Sequence, residues 1–141
     1  MPASDEVFLV LREWIAKAEG DFAVAVHVLG LGESGPADAV CFHAQQCLEK
    51  YLKALLVWRG TPFPLTHAVD QLLALPPEGT HLGMTADEAR GLTRYATETR
   101  YPGDYEPITL LESCGAVRIA RRVRAAVRKL LPKEAVRRRR Q

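Results

Sequence analysis

Apolar residues return at intervals of three and four through nearly the whole chain, and no stretch alternates apolar with polar as a strand would. Phe8, Leu11, Ile15, Ala18, Phe22, Ala25 and Leu29 trace one such stripe and predict a first helix from about Asp5 to Leu31. "GLGESGP" breaks it, and Pro36 suits the first turn of the next helix. That second helix, from about Pro36 to Arg59, meets Gly60, a usual left-handed stop. The prolines of "TPFPLT" keep the following segment out of a helix interior. Thr66 can cap a short third helix through about Leu75, halted by "PPEGTH". Thr85 and Glu88 have capping-box spacing for a fourth, "TADEARGLTRYATETRY", which Pro102 ends. A fifth runs from about Thr109 to Leu131 and stops at Pro132. Short connections between such helices predict an all-α fold, an antiparallel four-helix up-and-down bundle with a short fifth helix. Residues 1–131 are expected to build it, and residues 132–141, "PKEAVRRRRQ", to form a basic, flexible tail.

A chain of 141 residues suffices for one such core. No apolar run approaches the roughly 20 residues of a membrane helix. The opening, "MPASDEVFLVLREW", is acidic and lacks the shape of a signal peptide, so a cytoplasmic location is expected. Cys41, Cys47 and Cys114 are an odd number with no CxxC pair, which argues against a disulfide framework. Charge is unevenly spread. From Arg118 onward there are eleven bases and one acid, whereas residues 1–117 hold eight bases and sixteen acids. A basic last helix and tail on an acidic body can favour a polyanion, or pair with acidic surface of a second copy.

The second helix carries the pattern that most needs an explanation. At 100° per residue, Ala44, Leu48, Leu52 and Leu55 fall on one face, while His43, Gln46, Lys50 and Lys53 gather on another. An imidazole, an amide and two ammonium groups over three turns suit a phosphate or a base edge. The same spacing suits a solvated face or a partner-helix contact, with Glu49 and Lys53 as a surface pair four apart. His43 and Cys47 could share a metal, but no second close pair supplies the remaining ligands, so no metal site and no cofactor are expected. Asp21 is expected to pair with a cation on a neighbouring helix. Arg100, between helix end and Pro102, is flanked by Tyr101 and Tyr105, rings that can stack on a base or pack in a dimer.

"FHAQQCLEKYLKALLVWRG" followed by "PLTHAVDQLL" resembles the HEPN domain, a helical family named for its occurrence in higher eukaryotes and prokaryotes. The residues that carry the resemblance are Gln46, Glu49, Lys50, Lys53-Ala54 and His67. "WIAKAEGDFAVAVHVL" upstream is similar to that family's first helix, and "LTRYATETRYPGDY" downstream to its fourth. The likeness spans about residues 5–131. It implies a largely four-helix core, a homodimer, association with a nucleotide or RNA, and for many small prokaryotic members a separately encoded minimal nucleotidyltransferase partner, as a toxin–antitoxin-like pair. Other members are ribonuclease toxins that use an Arg, four to six residues, then a His. Here no His follows Arg94 or Arg100, and Arg59 and His67 have seven residues between them, so that motif is absent and nuclease activity is disfavoured.

The resulting expectation is a nucleotide-binding accessory protein without an enzyme's active site. Lys50, Lys53 and Arg100 would meet phosphate, and His43, Gln46 and His67 would meet base or sugar. A ribonuclease toxin and a purely structural interaction module are the alternatives.

Overall fold

The computed structural model describes residues 4–99, 101–103 and 105–137. Among them the secondary structure is helical, in the order α1 (Asp5–Leu29), α2 (Ala37–Arg59), α3 (Val69–Leu73), α4 (Ala86–Thr97), α5 (Leu110–Leu130) and α6 (Lys133–Val136). The four longer helices, α1, α2, α4 and α5, form the bundle, and α3 and α6 are short additions to it. No helix among the described residues is long and apolar enough to cross a membrane.

Helix ends follow local chemistry. The Ser4 hydroxyl accepts from the Val7 amide and opens α1. Thr85 and Glu88 make the reciprocal capping box of α4, and the Thr109 side chain accepts from Glu112 to open α5. Gly60 stops α2 in the left-handed region at φ 66°. Several ends differ from the sequence expectation. The first helix closes at Leu29 because the chain turns at once into a 3-10 segment, Gly32–Ser34, that needs φ 58° at Gly32. The third begins at Val69, since Thr66 Oγ1 takes the Ala68 amide and holds the chain in a turn. The fourth ends at Thr97, with the Arg94 carbonyl accepting from both Glu98 and Thr99. Residues 133–136, expected within the flexible tail, form a helical turn whose Ala135 is buried.

Helix α2 is the spine: 13 of its 23 residues are buried. It lies along α1 and packs on α5 and α4. Leu11, Ile15 and Ala18 of α1 meet the leucines of α2, with Val117, Ala120, Val123 and Val127 of α5 closing the core. Full burial of a leucine is worth about 1.5–3 kcal/mol. Cys41 and Cys47 are buried free thiols, and Cys114 is half-buried. Burial pushes the Cys41 thiol up to about 12 and raises Cys47 as well.

The basic half of α5 is partly spent inside the protomer. Arg124 grips Glu19 through two hydrogen bonds of 2.7 Å, and Arg128 reaches both Glu19 and the Tyr51 hydroxyl. Arg122 pairs with Glu88 of α4. Burial alone would raise Glu19, but Arg124, Tyr51 and Arg128 together hold its carboxyl below the ordinary carboxylate value. Arg121 and Arg124 both lie over the Phe22 ring.

Candidate functional site

The polar strip of α2 is built around two carboxylates rather than two lysines. The first is Asp21 of α1, which receives His43 Nδ1 at 2.9 Å on one oxygen and Lys50 Nζ at 2.5 Å on the other. The second is Glu49 of α2, which is buried. Its Oε1 receives His67 Nδ1 at 2.9 Å and Gln45 Nε2 at 3.0 Å, and its Oε2 receives Lys53 Nζ at 3.2 Å. Gln46 donates to Gln45 Oε1 at 2.7 Å, and Gln45 also reaches the His67 carbonyl. Gln46, Gln45, Glu49, His67 and Lys53 are thus one connected network.

A carboxylate can only accept, so in each pair the histidine carries its proton on Nδ1 and keeps Nε2 as its remaining polar atom. The two imidazoles are held in one tautomer and one orientation. Exposure then separates the side chains. His67 is 58% exposed, His43 30% and Lys50 22%, whereas Lys53 is only 9% exposed. A ligand at this face would meet His67, His43, Gln46 and Lys50. The Lys50 ammonium has three donors and gives one to Asp21, so two remain. The two lysines are balanced by the two carboxylates, which leaves a polar, fixed and nearly neutral surface.

Lys53 stands apart from the phosphate-contacting role expected of it. Its ammonium lies 5.7 Å from the Trp14 ring centroid and 6.0 Å from that of Phe63, with Glu49 as its ion partner. Trp14 and Phe63 meet edge to face. The lysine is enclosed by aromatic rings and a buried carboxylate. The expected surface pair between Glu49 and Lys53 is therefore a buried one. Arg100 lies outside the described residues. Of its neighbours, Tyr101 is exposed, and the Tyr105 hydroxyl donates to the Thr99 carbonyl.

Asp21 pairs with a cation of the neighbouring helix, Lys50, as its position suggested, and it also receives His43, bringing the two together. Gln45 was missed. It falls about 20° from Leu52 on the α2 wheel, beside the apolar face, so its position signalled an amide inside the core. The aromatic enclosure of Lys53 had no signal, because Phe63 arrives from a proline-flanked loop. Among the described residues no group of three or more His, Cys, Asp or Glu side chains is placed to hold a metal ion.

A separate groove of about 650 Å³ runs between α1, α5 and α6, with Arg12, Glu19, Phe22, Arg124, Arg128 and Val136 among its walls. None of the strip residues lines it.

The protein-family comparison matches the HEPN domain model over residues 11–130. No curated protein matches the chain. Among solved structures, the crystal structure of an archaeal HEPN homologue is similar at 28% identity with a TM-score of 0.67, covering 85% of this chain and 96% of that one. The model match takes in the spine helix, both carboxylates of the strip and the helices that hold them, and the chain belongs to the HEPN domain family.

Proposed function

We infer that this chain is a non-catalytic HEPN accessory protein that binds a nucleotide on the polar strip between α1 and α2. It would act in the cytoplasm as a homodimer serving a separately encoded minimal nucleotidyltransferase. The observation that carries the reading is the pair of imidazoles, each oriented through Nδ1 by a carboxylate, beside the free donors of Lys50 and the amide of Gln46. Lys50 and Arg100 would meet phosphate, while His43, Gln46 and His67 would meet base or sugar. Lys53 positions Glu49 and, through it, His67. Because Lys50 is already matched by Asp21, selectivity would come from geometry more than from net charge.

Calorimetric titration with ATP and GTP tests this. The wild-type chain should bind one of them, and Lys50→Ala with His67→Ala should abolish the heat while leaving the helical signal intact. Unchanged affinity in that double variant, or no heat with the wild type, refutes the assignment. Whether a nucleotidyltransferase is encoded beside this chain, and co-purifies with it, tests the partner separately.

One observation favours a second reading. Asp21, His43 and Lys50 together offer an oriented base and a cation, the minimum for cleaving RNA at a 2′-hydroxyl. Single-stranded RNA incubated with pure protein should stay intact. Cleavage that disappears in His43→Ala would replace the accessory reading with a ribonuclease one.

A further inference from the structure

The groove between α1, α5 and α6 takes no part in the strip, and its walls suit a different guest. Ile15 and Phe22 of α1 and Val136 of α6 supply apolar surface. From Arg12 to Ala23 the α1 wall runs about 16 Å. At about 650 Å³ the space falls within the roughly 300–1,000 Å³ of small-molecule sites. Four arginines, Arg12, Arg124, Arg128 and Arg137, stand over this surface against two glutamates, Glu13 and Glu19, an excess of two positive charges.

The protomer leaves much of that hydrogen-bonding capacity open. A guanidinium has five N–H donors. Arg124 gives two of them to Glu19. Arg128 gives three, to Glu19, the Tyr51 hydroxyl and the Val136 carbonyl. Arg12 gives one, to the Glu134 carbonyl at 3.4 Å. Neither Arg12 nor the exposed Arg137 pairs with a carboxylate among the described residues. Glu19 is fully engaged by Arg124 and Arg128, and Glu13 is exposed, where solvent and salt screen its charge. Arg12 and Arg128 both reach carbonyls of α6, and Arg137 follows that helix directly, so three of the four cations stand at α6. Phe22 lies farther along α1.

We propose that this groove binds an organic anion, with an acidic headgroup at the α6 end and an apolar body laid along α1 toward Phe22. Paired guanidinium N–H groups accept a carboxylate or a phosphate, so the headgroup is of either kind. Charge and apolar body are both required, because the arginines hold only the first and Ile15 and Phe22 only the second. The site is separate from the strip and does not depend on it.

Anilinonaphthalene sulfonate, an apolar fluorophore with one sulfonate, probes the groove in the full chain. Its emission should rise on binding, and decanoate or decyl phosphate should displace it, the tighter of the two naming the headgroup. Decanol has the chain without charge and inorganic phosphate the charge without chain, so each should compete more weakly by roughly tenfold or more. Ala16→Trp fills the groove, and Arg12→Glu with Arg137→Glu reverses the headgroup contacts. Each should weaken dye binding by roughly tenfold or more. Arg90→Glu, on exposed α4 surface outside the groove, should leave it unchanged. Helical circular dichroism reports the folding of each variant. No rise in emission with wild type overturns the site. Displacement by decanol as strong as by decanoate overturns the anion, and equal displacement by inorganic phosphate overturns the apolar body. Dye binding that survives both groove variants lies elsewhere and overturns the groove. Nucleotide heats are titrated separately and should be unchanged in Ala16→Trp, so failure of the groove is distinguishable from failure of the strip.

Discussion

Replacing Glu49 by alanine should distinguish a buried ion pair from a solvated one by an order of magnitude. An exposed pair four residues apart on a helix contributes about 0.3–0.5 kcal/mol. Here the side chains are 9% and 3% exposed, so removing the carboxylate strands an ammonium in the core. Breaking a buried pair on one side costs about 3–5 kcal/mol. Buried Gln45 also loses its 3.0 Å acceptor, for roughly 1 kcal/mol more. The Trp14 and Phe63 rings offset about 1–2 kcal/mol by holding the cation. A net loss of about 3 kcal/mol results. With a urea slope of roughly 2 kcal/mol per molar, the midpoint should fall by about 1.5 M. The double variant Glu49→Ala with Lys53→Met removes both charges and should recover about 2 kcal/mol of that loss. Urea unfolding followed by circular dichroism reads all four members of the cycle. A Glu49→Ala loss below about 0.5 kcal/mol, with no recovery in the double variant, would show a solvated pair and refute the buried network.

Gly83→Ala should lower stability by about 2 kcal/mol or more. Gly83 has φ +80°, and a Cβ there would sit 2.7 Å from the Arg122 carbonyl oxygen of α5. A thermal melt checks it, and an unchanged Tm would argue against this close approach of backbone. Thr85→Ala removes the α4 cap and should cost about 1 kcal/mol, measured by the same melt. For Glu19, burial opposes ionisation, but Arg124, Tyr51 and Arg128 outweigh it, so its folded value lies below the ordinary 4.5. A depressed value gives stability that is full above the ordinary value and lost as pH falls through the folded one. Glu19→Gln should therefore flatten the fall in stability below pH 4.5 that wild type shows in acid titrations of the melt.

Helix order and the core were legible because periodicity and breakers are local signals. The stripe from Leu11 to Ala25, the cap at Thr85 and the start of the last long helix near Thr109 stand where the sequence put them. The short third helix was harder, since the Thr66 hydroxyl could open a helix or close a turn, and the packing of Val69 and Leu72 decided for the turn. The strip was legible as a set of residues on one face, but its electrostatics were not. On a wheel, Lys50 and Lys53 differ by 60°, yet one faces water and the other a box of Trp14, Phe63 and Glu49. That difference depends on where α1 and the loop before α3 land, which no local pattern encodes. The same holds for Arg124 and Arg128: a run of cations reads as an arm for polyanions until Glu19 appears 105 residues earlier in the chain to take two of them.

The three thiols also divide the molecule for the experimenter. Cys41 and Cys47 sit on the buried side of the spine, their thiolates disfavoured by burial, while Cys114 is within reach of solvent. A maleimide dye should attach once, on α5, without any cysteine being engineered away. The two silent sulfurs then serve as a clock: the rate at which they begin to consume reagent reports how often the interior opens to water, in a chain carrying its native sequence.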